Sequence, residues 1–290
     1  MIATETTTKT IRTTRSPRFG RTVRGILFWL ALLVVLAFFL FPPLWLVLTS
    51  LKNYKDAFAM PPVLIFTPTI ASYLNVLGNA GFLGYATNST LVAIGSTALS
   101  LAIGAPAAYA MAKLRFRQRD DFALFVLGAR IAPPIMTLFP LYMIFFHLQL
   151  LNTLPVLIIT YVTMELPFAI WLLATFFEDV PNEIREAGLV DGLNEFGTFW
   201  HLMLPLIRSG LAATAILCVI QSWNEFLFAL VLAGGGSSTL PVGITSFLTF
   251  QGTEWGPLTA AGVLVMIPIL IFCLLVQKPL VRGMTLGAVK

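Results

Sequence analysis

The sequence predicts an all-α membrane protein with six transmembrane helices, and its composition, its apolar stretches and its charge distribution all support this class. Of its 290 residues, 58% are hydrophobic and 11% are charged, whereas a soluble domain carries roughly 25% charged residues. The mean hydropathy is +0.88. Six apolar stretches approach or exceed the length of about 20 residues that a helix needs to cross a bilayer. The predicted spans are residues 25–50, 86–112, 122–147, 154–177, 207–233 and 258–281.

Lys and Arg lie almost entirely on one side of these spans, and this asymmetry sets the orientation. If the N-terminus is cytoplasmic, the outer loops hold only Lys52 and Lys55, and Arg130 lies within a span. We therefore expect both termini in the cytoplasm. The inner segments then carry Lys9, Arg12, Arg15, Arg18, Arg21, Arg24, Lys113, Arg115, Arg117, Arg119, Arg185, Arg208, Lys278, Arg282 and Lys290.

The organisation outside the spans is simple. Residues 1–24, which are rich in Thr and Arg, are expected to form a disordered basic tail, and residues 25–290 a single six-helix membrane domain. The first apolar run is too long for a signal peptide and no small-residue cleavage site follows it, so we interpret it as a retained helix. The outer loops near 51–85 and 234–257 are rich in Gly, Pro and aromatic residues, and we expect them to be ordered.

Two sequence features predict how the spans pack. Small residues recur at every fourth position of the second span, which predicts a seam where another helix approaches closely. They are Ser96, Ser100, Gly104, Ala108 and Ala112. Prolines within spans are expected to bend helices. They are Pro106, Pro133, Pro134, Pro140, Pro167 and Pro268.

A polar, glycine-containing segment at about 178–206 separates spans four and five, and we call it the 178–206 segment. Pro181 suits the first turn of a short helix, Gly192 its end, and Asn194 the N-cap of a second one. An apolar stripe is predicted over Leu189, Leu193, Phe196 and Trp200 if the helical register continues through the turn. Interfacial helices usually present basic faces to lipid, whereas this segment is acidic, so a protein partner is favoured over a lipid surface. Its acidic residues are Glu178, Asp179, Glu183, Glu186, Asp191 and Glu195, against Arg185 alone.

Polar side chains within the spans form a second candidate site. Arg130, Glu165 and Glu225 are charged groups at membrane depth, where charge is costly and usually functional or paired. One interpretation is a pathway for a polar solute; the other is that these groups hydrogen-bond one helix to another. The candidate pathway residues are Asn88, Tyr142, Glu165, Trp223, Asn224 and Glu225.

The sequence lacks the motifs of several common catalytic and metal-binding sites. No Gly-Lys-Ser/Thr loop is present to bind phosphate, and no Gly-x-Ser-x-Gly elbow is present for hydrolysis. His147 and His201 are predicted on opposite sides of the membrane, so we expect no metal site. Cys218 and Cys273 lie within apolar runs, where we expect small core residues. We expect neither catalysis nor a bound cofactor in this chain.

The 178–206 segment carries the strongest motif of the chain. It reads Glu-Ala-Gly at 186–188, then three residues, Gly192, nine residues, and Leu-Met-Leu-Pro at 202–205. This resembles the EAA loop of ATP-binding-cassette (ABC) importer permeases, whose pattern is Glu-Ala-Ala, three residues, Gly, nine residues and Ile-x-Leu-Pro. Two positions depart from the pattern: Gly188 replaces the second Ala and Leu202 replaces the Ile.

Further stretches extend the resemblance over about residues 25–290, towards the carbohydrate, MalG-like branch of these binding-protein-dependent inner-membrane components. They are Tyr-Ala-Met-Ala-Lys-Leu-Arg-Phe at 109–116, Pro-Phe-Ala-Ile-Trp at 167–171, Ser-Trp-Asn-Glu-Phe at 222–226 and Arg-Gly-Met-Thr-Leu-Gly-Ala-Val-Lys at 282–290. The resemblance implies the type I importer permease fold in the cell (inner) membrane. It also implies import of a carbohydrate or a sugar-like solute.

The resemblance further implies that the 178–206 segment is a coupling helix seated in a groove of an ATPase subunit, with Glu186 paired to a basic residue there. The implied coupling residues are Glu186, Ala187, Gly188, Asp191, Gly192, Leu204 and Pro205. The implied partners, besides membrane lipid, are a second homologous permease subunit, two ATPase subunits that bind ATP and Mg, and an extracytoplasmic solute-binding protein. From the topology alone, we expect the outer loops near 51–85 and 234–257 to meet that binding protein. No nucleic acid partner is expected.

An alternative from the residues alone is an ion-coupled secondary transporter that uses Glu165, Glu225 and Arg130 as a relay. That function would leave the acidic 178–206 segment without a role. A membrane enzyme would need a nucleophile or a metal cluster that the sequence lacks. The identity of the solute stays open among saccharides, polyols and glycerol phosphate, as does the question whether this subunit touches it.

Overall fold

A computed structural model describes residues 18–131, 133–249 and 252–287 of the chain. Its described helices and strands follow one another as α1 Arg18–Ser50, α2 Tyr54–Phe58, α3 Ala71–Gly78, α4 Ala80–Lys113, α5 Arg119–Ile131, α6 Pro134–His147, α7 Leu154–Glu178, α8 Asn182–Val190, α9 Glu195–Thr198, α10 Leu204–Leu206, α11 Arg208–Trp223, α12 Leu227–Leu232, α13 Leu240–Ile244, β1 Leu248–Thr249, β2 Gly252–Thr253 and α14 Trp255–Gly287. A π-helical turn at Phe199–Met203 joins α9 to α10.

The membrane spans are confirmed as helices, and four are single helices long and apolar enough to cross a bilayer. These are Arg24–Ser50 of α1, Ala80–Lys113, Leu154–Glu178 and Trp255–Gln277 of α14. Two strongly bent pairs raise the number to six within the described part of the chain, if each pair counts as one span. They are Arg119–Ile131 with Pro134–His147, and Glu195–Leu206 with Arg208–Trp223, the latter bent by 78°.

The prediction of one continuous fifth helix over 207–233 is wrong. Helix α11 ends at Trp223 and α12 begins at Leu227, so Asn224 and Glu225 lie in the interruption. The Glu225 carboxylate accepts hydrogen bonds from the backbone N–H groups of Phe228 (2.9 Å) and Ala229 (3.1 Å). These two groups have no partner within α12 because the first N–H groups of a helix never do. Glu225 therefore stabilises the start of the helix that follows the break.

The predicted packing seam along α4 is confirmed. Ser96, Ser100, Gly104 and Ala108 are buried, and α7 packs along this face of α4. A Cβ built on Gly104 would lie 3.4 Å from the Cβ of Ala169, at van der Waals contact, so the two helices pack closely here. Pro106 and Pro167 bend neither helix enough to interrupt it.

Helices α4, α7, α11 and α14 form the centre of the described bundle. Helix α11 packs against α4, α7 and α14. The buried apolar side chains of the described residues form three hydrophobic clusters. The cluster nearest the 178–206 segment contains Ala105, Ala108, Tyr109, Met111, Val126, Ile170, Leu173, Ala174, Phe177, Phe199, Met203 and Ile207.

The described residues up to Leu48 and those from Thr49 onward form two compact units. In the first, α1 begins at Arg18, so the last residues of the predicted disordered tail are helical. The expectation for residues 1–17 lies outside the described residues. In the second unit, α2, α3, α13 and the β1–β2 hairpin lie in the predicted outer loops, which are ordered as expected. The hairpin pairs Leu248 with Thr253.

Candidate functional site

The 178–206 segment folds as two short helices joined by a tight turn, as its sequence predicts. Helix α8 ends at Val190, and Gly192 then adopts a φ of +90°, which a side chain with a Cβ rarely tolerates. Asn194 caps α9, because its side-chain oxygen accepts a hydrogen bond of 2.7 Å from the N–H of Gly197. Glycine and asparagine thus fix the turn and the second helix in place.

The two departures from the family pattern contact each other. Gly188 is buried, and a Cβ built on it would lie 2.5 Å from the Cδ1 of Leu202 and 3.3 Å from the Oγ1 of Thr198. Carbon atoms in contact are about 3.5–4.0 Å apart, so an alanine at position 188 would collide with the longer reach of the leucine. The missing Cβ at Gly188 thus leaves room for the end of the Leu202 side chain, which would have to rotate if an alanine stood there.

An apolar surface on this segment faces away from the rest of the chain. The side chain of Val190 is 86% exposed, that of Phe196 70% and that of Trp200 49%, which is unusual for such residues outside lipid or an interface. The rings of Phe196 and Trp200 contact edge to face, 6.1 Å apart. Leu189 and Leu193 of the predicted stripe are half-buried instead, because the glycine turn changes the register between α8 and α9.

The residues implied to meet an ATPase subunit are mostly on the surface. Glu186, Ala187, Asp191, Gly192 and Pro205 are exposed. Leu204 is half-buried, whereas Gly188 is buried beneath them. Glu186 also lines an open groove of about 910 Å³ beside the Lys113 end of α4. The other lining residues are Ala110, Lys113, Leu114, Arg115, Phe116, Asn182, Arg185 and Glu195.

A carboxylate of α9 connects three elements. Glu195 forms an ion pair with Arg185 of α8, which donates through both Nε and a terminal nitrogen. The hydroxyl of Tyr109 of α4 donates to the same carboxylate at 2.8 Å. Burial alone would raise the pKa of Glu195, but the hydrogen bonds from Arg185 and Tyr109 outweigh it and hold that pKa below its usual range. The hydrogen bond to Glu195 raises the pKa of Arg185.

Further contacts hold the segment on the ends of α4 and α7. The Lys113 ammonium group donates to the carbonyl oxygen of Val180 (2.5 Å) and to the Oδ1 of Asn182 (3.0 Å). The Tyr109 ring packs against the rings of Phe177 (5.6 Å) and Phe199 (5.3 Å). The segment is therefore not a free loop but is attached to both long helices.

Sequence reasoning missed Tyr109, Lys113, Arg185 and Glu195 as residues of this site. The motif at 109–116 was the available signal for Tyr109 and Lys113, because it ends the helix that meets the segment. The sequence signal for Arg185 and Glu195 was weaker. Arg185 stands out only as a basic residue among the acids of the segment, and Glu195 only as an acid that follows the N-cap Asn194. Their pairing depends on the turn at Gly192, and no spacing rule places them together.

The intramembrane acid Glu165 joins helices. Its side chain is buried, with 1% exposed, and it accepts hydrogen bonds from Ser96 Oγ (3.0 Å) and Ser100 Oγ (3.1 Å) of α4. Ser96 Oγ also lies 3.3 Å from Ser222 Oγ of α11. The helix-to-helix interpretation therefore describes Glu165 in this structure.

The three groups of the predicted ion relay have separate partners among the described residues. Glu225 accepts a hydrogen bond of 2.9 Å from the Tyr161 hydroxyl, in addition to its bonds to the start of α12. The Arg130 guanidinium lies over the ring of Phe168, 4.9 Å from its centroid. Glu165 is bonded to the two serines of α4. The structure does not bring these three charges together.

Two further candidate pathway residues bond to different parts of the described structure. Asn88 is buried and donates to the carbonyl oxygens of Gly236 (2.7 Å) and Ser238 (2.9 Å), which ties the 234–257 loop to α4. Trp223 is buried and donates from Nε1 to the carbonyl oxygen of Val265 (3.2 Å).

Two of the candidates keep exposed surface. Asn224 is exposed and donates back to the Ile220 carbonyl oxygen (2.7 Å). Tyr142 is half-buried and stacks on Phe146. Within the described residues, no three His, Cys, Asp or Glu side chains converge to hold a metal ion.

Comparison with known proteins agrees with this architecture. Residues 100–286, more than half of the chain, match the family described as binding-protein-dependent transport system inner membrane component. The chain is 41% identical over 276 residues to the probable ABC transporter permease protein y4oR of Sinorhizobium fredii, covering 95% of this chain and 99% of that protein. It is 34% identical over 255 residues to the trehalose/maltose transport system permease protein MalG of Thermococcus litoralis, covering 87% and 91%.

A solved structure shows the same fold. One chain of a bacterial ABC transporter involved in the import of alginate superposes with a TM-score of 0.75 at 23% sequence identity, covering 93% of this chain and 99% of that one. The helices α4, α7, α11 and α14 and the segment between spans four and five thus belong to a known importer architecture. The chain is a multi-pass member of the family of inner membrane components of binding-protein-dependent transport systems.

Proposed function

We propose that this chain is a permease subunit that imports a carbohydrate or a sugar-like solute, and that its 178–206 segment receives an ATPase subunit. The observation that carries the proposal is the exposed apolar surface of Val190, Phe196 and Trp200 beside the exposed acids Glu186 and Asp191. Such a surface fits a cleft with an apolar floor and a basic rim. The 34% identity to a trehalose/maltose permease supports the solute class.

The proposed mechanism uses the connections of the segment. The ATPase subunits bind ATP with Mg and close on each other, and this closure moves the attached segment. Because the segment is hydrogen-bonded to α4 and its Phe199 packs against Phe177 of α7, its displacement changes the tilt of those helices and exposes the solute path to alternate sides. The catalytic groups and the nucleotide in this proposal belong to the ATPase subunits.

The other proposed partners follow from the same architecture. A second, homologous permease subunit completes the pathway, and an extracytoplasmic binding protein delivers the solute to the loops near 51–85 and 234–257. Crosslinking from these loops tests the last point: a reagent attached at exposed Tyr54 should capture the binding protein when solute is present. Repeated failure to capture it there, with capture elsewhere on the chain, would contradict the assignment of these loops.

Substitution in α8 tests the docking surface. Glu186→Lys reverses a charge on the exposed face, so we expect loss of ATP-driven uptake and weaker co-purification of the ATPase subunits, with normal insertion into the membrane. The uptake probes are radiolabelled maltose and trehalose. Glu183→Lys is the matched control, since Glu183 is an exposed acid of the same helix outside the motif. Wild-type uptake and wild-type ATPase content in Glu186→Lys would contradict the proposal.

A further inference from the structure

We propose that Tyr109, Glu195 and Arg185 form the link that transmits movement of the 178–206 segment to α4, with Glu195 as the positioning residue. The inference rests on the proposed coupling function and deepens it. The motif acid Glu186 faces outward, whereas Glu195, at a position that the motif leaves unspecified, faces the bundle.

The geometry makes Glu195 the shared acceptor of two elements. Arg185 of α8 donates hydrogen bonds to the carboxylate from two nitrogens, and the Tyr109 hydroxyl of α4 donates to one of the same oxygens at 2.8 Å. Bidentate and charge-assisted hydrogen bonds are short and restrict orientation more than neutral ones do. A displacement of α8 and α9 therefore pulls directly on the Tyr109 hydroxyl.

Helix α4 is suited to carry the displacement through the membrane. It runs without a break from Ala80 to Lys113, and Tyr109 lies within its last two turns. Further along, Ser96 and Ser100 bond to Glu165 of α7. The bonded pair of helices consequently responds as one body to a force applied at Tyr109.

The hydroxyl of Tyr109 can be separated from its packing. The ring is buried between Phe177 and Phe199, whereas the hydroxyl reaches Glu195. Tyr109→Phe keeps the aromatic contacts and removes the single bond to α9. Glu195→Gln keeps the shape of the side chain and removes its charge. Both variants should therefore fold and bind the ATPase subunits.

The experiment follows a distant reporter in the complete complex in lipid nanodiscs. Cys218→Ser and Cys273→Ser remove the native thiols, and Asn224→Cys places a reporter thiol at the exposed end of α11. The rate of its reaction with a water-soluble maleimide is measured with and without trapping by MgATP and vanadate. ATP hydrolysis and subunit content are measured on the same samples.

With the link intact, we expect trapping to change the rate of maleimide reaction at the reporter thiol by about fivefold or more. A factor of about five is the lower end of the usual coupling between distant sites. In Tyr109→Phe and in Glu195→Gln, ATP hydrolysis and subunit content should persist while the reporter no longer responds. A merely structural role would lower hydrolysis and reporter response together. Glu183→Gln, a loss of charge in the same segment, should respond as the wild type does.

One combination tests whether the residues act as one unit. Glu195→Leu removes both carboxylate oxygens and therefore the acceptor of the Tyr109 hydroxyl. The double variant Tyr109→Phe with Glu195→Leu should therefore respond no worse than Glu195→Leu alone.

Distinct outcomes overturn the link and the proposed function. A full reporter response in Tyr109→Phe or Glu195→Gln, or additive losses in the double variant, would each overturn the link while the coupling function stands. A reporter that ignores MgATP and vanadate even with the link intact, or a complex without ATPase subunits, would overturn the coupling function and the link with it.

Discussion

Substituting alanine for Gly210 should destabilise the contact between α7 and the beginning of α11. Gly210 is buried, and a Cβ built on it would lie 2.4 Å, 2.6 Å and 2.7 Å from three ring atoms of Phe176. Carbon atoms in contact need about 3.5–4.0 Å, so the ring or the helix must move by about 1 Å. Because the close atoms belong to a rigid ring rather than to the end of a flexible chain, relief requires movement of the whole side chain.

The magnitude follows from two opposing effects. Forcing an extra carbon into a packed interface costs typically about 1–3 kcal/mol. Replacing glycine within a helix recovers roughly 0.5–1 kcal/mol of that cost. The expected net loss is about 1 kcal/mol, which lowers the Tm by about 2–4 °C in a protein of roughly this size.

The chain supplies both a probe and a control for this measurement. Cys218 of α11 is buried, so a thiol-reactive dye reports unfolding of that helix in a Cys273→Ser background. Gly84→Ala is the matched control, because nothing lies within 4 Å of a Cβ at that position of α4. It should match or exceed the wild-type Tm. A Gly210→Ala protein that melts at or above the wild type, or a Gly84→Ala protein that melts equally low, would refute the packing argument.

Four further results are expected. Ser100→Ala leaves an oxygen of buried Glu165 without its donor and should cost about 1–3 kcal/mol, measured as a lower Tm. Gly192→Ala forces a Cβ into a left-handed backbone at a cost of about 1–2 kcal/mol and should lower the yield of co-purified ATPase subunits. Asn88→Leu removes two bonds to the 234–257 loop and should speed amide hydrogen exchange there. The folded-state pKa of Glu195 is depressed, so its bonds are fully present above the ordinary carboxyl pKa and are lost as pH falls through the folded value. The α9 amides should therefore lose protection, relative to their intrinsic exchange rates, as the pH falls below the ordinary carboxyl range.

Each of these expectations has a contradicting result. An unchanged Tm in Ser100→Ala would mean that Glu165 does not need that donor. If the Gly192→Ala protein co-purifies with as much ATPase subunit as the wild type, the turn does not contribute to the docking surface. Unchanged exchange in Asn88→Leu would show that the loop is held by other contacts. If the protection of the α9 amides does not change as the pH falls below the ordinary carboxyl range, ionised Glu195 does not stabilise that helix.

Much of the fold was readable from the sequence, because lipid imposes strict requirements on a chain. Apolar length predicted the helical spans, and the small residues from Ser96 to Ala108 predicted the face of α4 that packs on α7. The 178–206 segment was readable because it is polar and contains Gly192 and Asn194, whose backbone and capping roles follow from their chemistry.

The remaining features depend on tertiary contacts that no local pattern encodes. The interruption after Trp223 contains no proline, and it is stabilised by Glu225, whose carboxylate satisfies the start of the following helix. Considered in the sequence alone, Glu225 indicates a pathway for a polar solute. Asn88 and Glu165 show the same ambiguity, since a polar side chain in a span serves a solute or a neighbouring helix, and only its partners decide.

The contact between Gly188 and Leu202 limits how this permease can be altered. Restoring the family alanine at position 188 alone would push against the leucine, and shortening the leucine alone would leave a gap beside a glycine. A chimera that brings in alanine at position 188 alone would force the end of the Leu202 side chain to rotate, whereas an exchange of both positions together would keep the original fit.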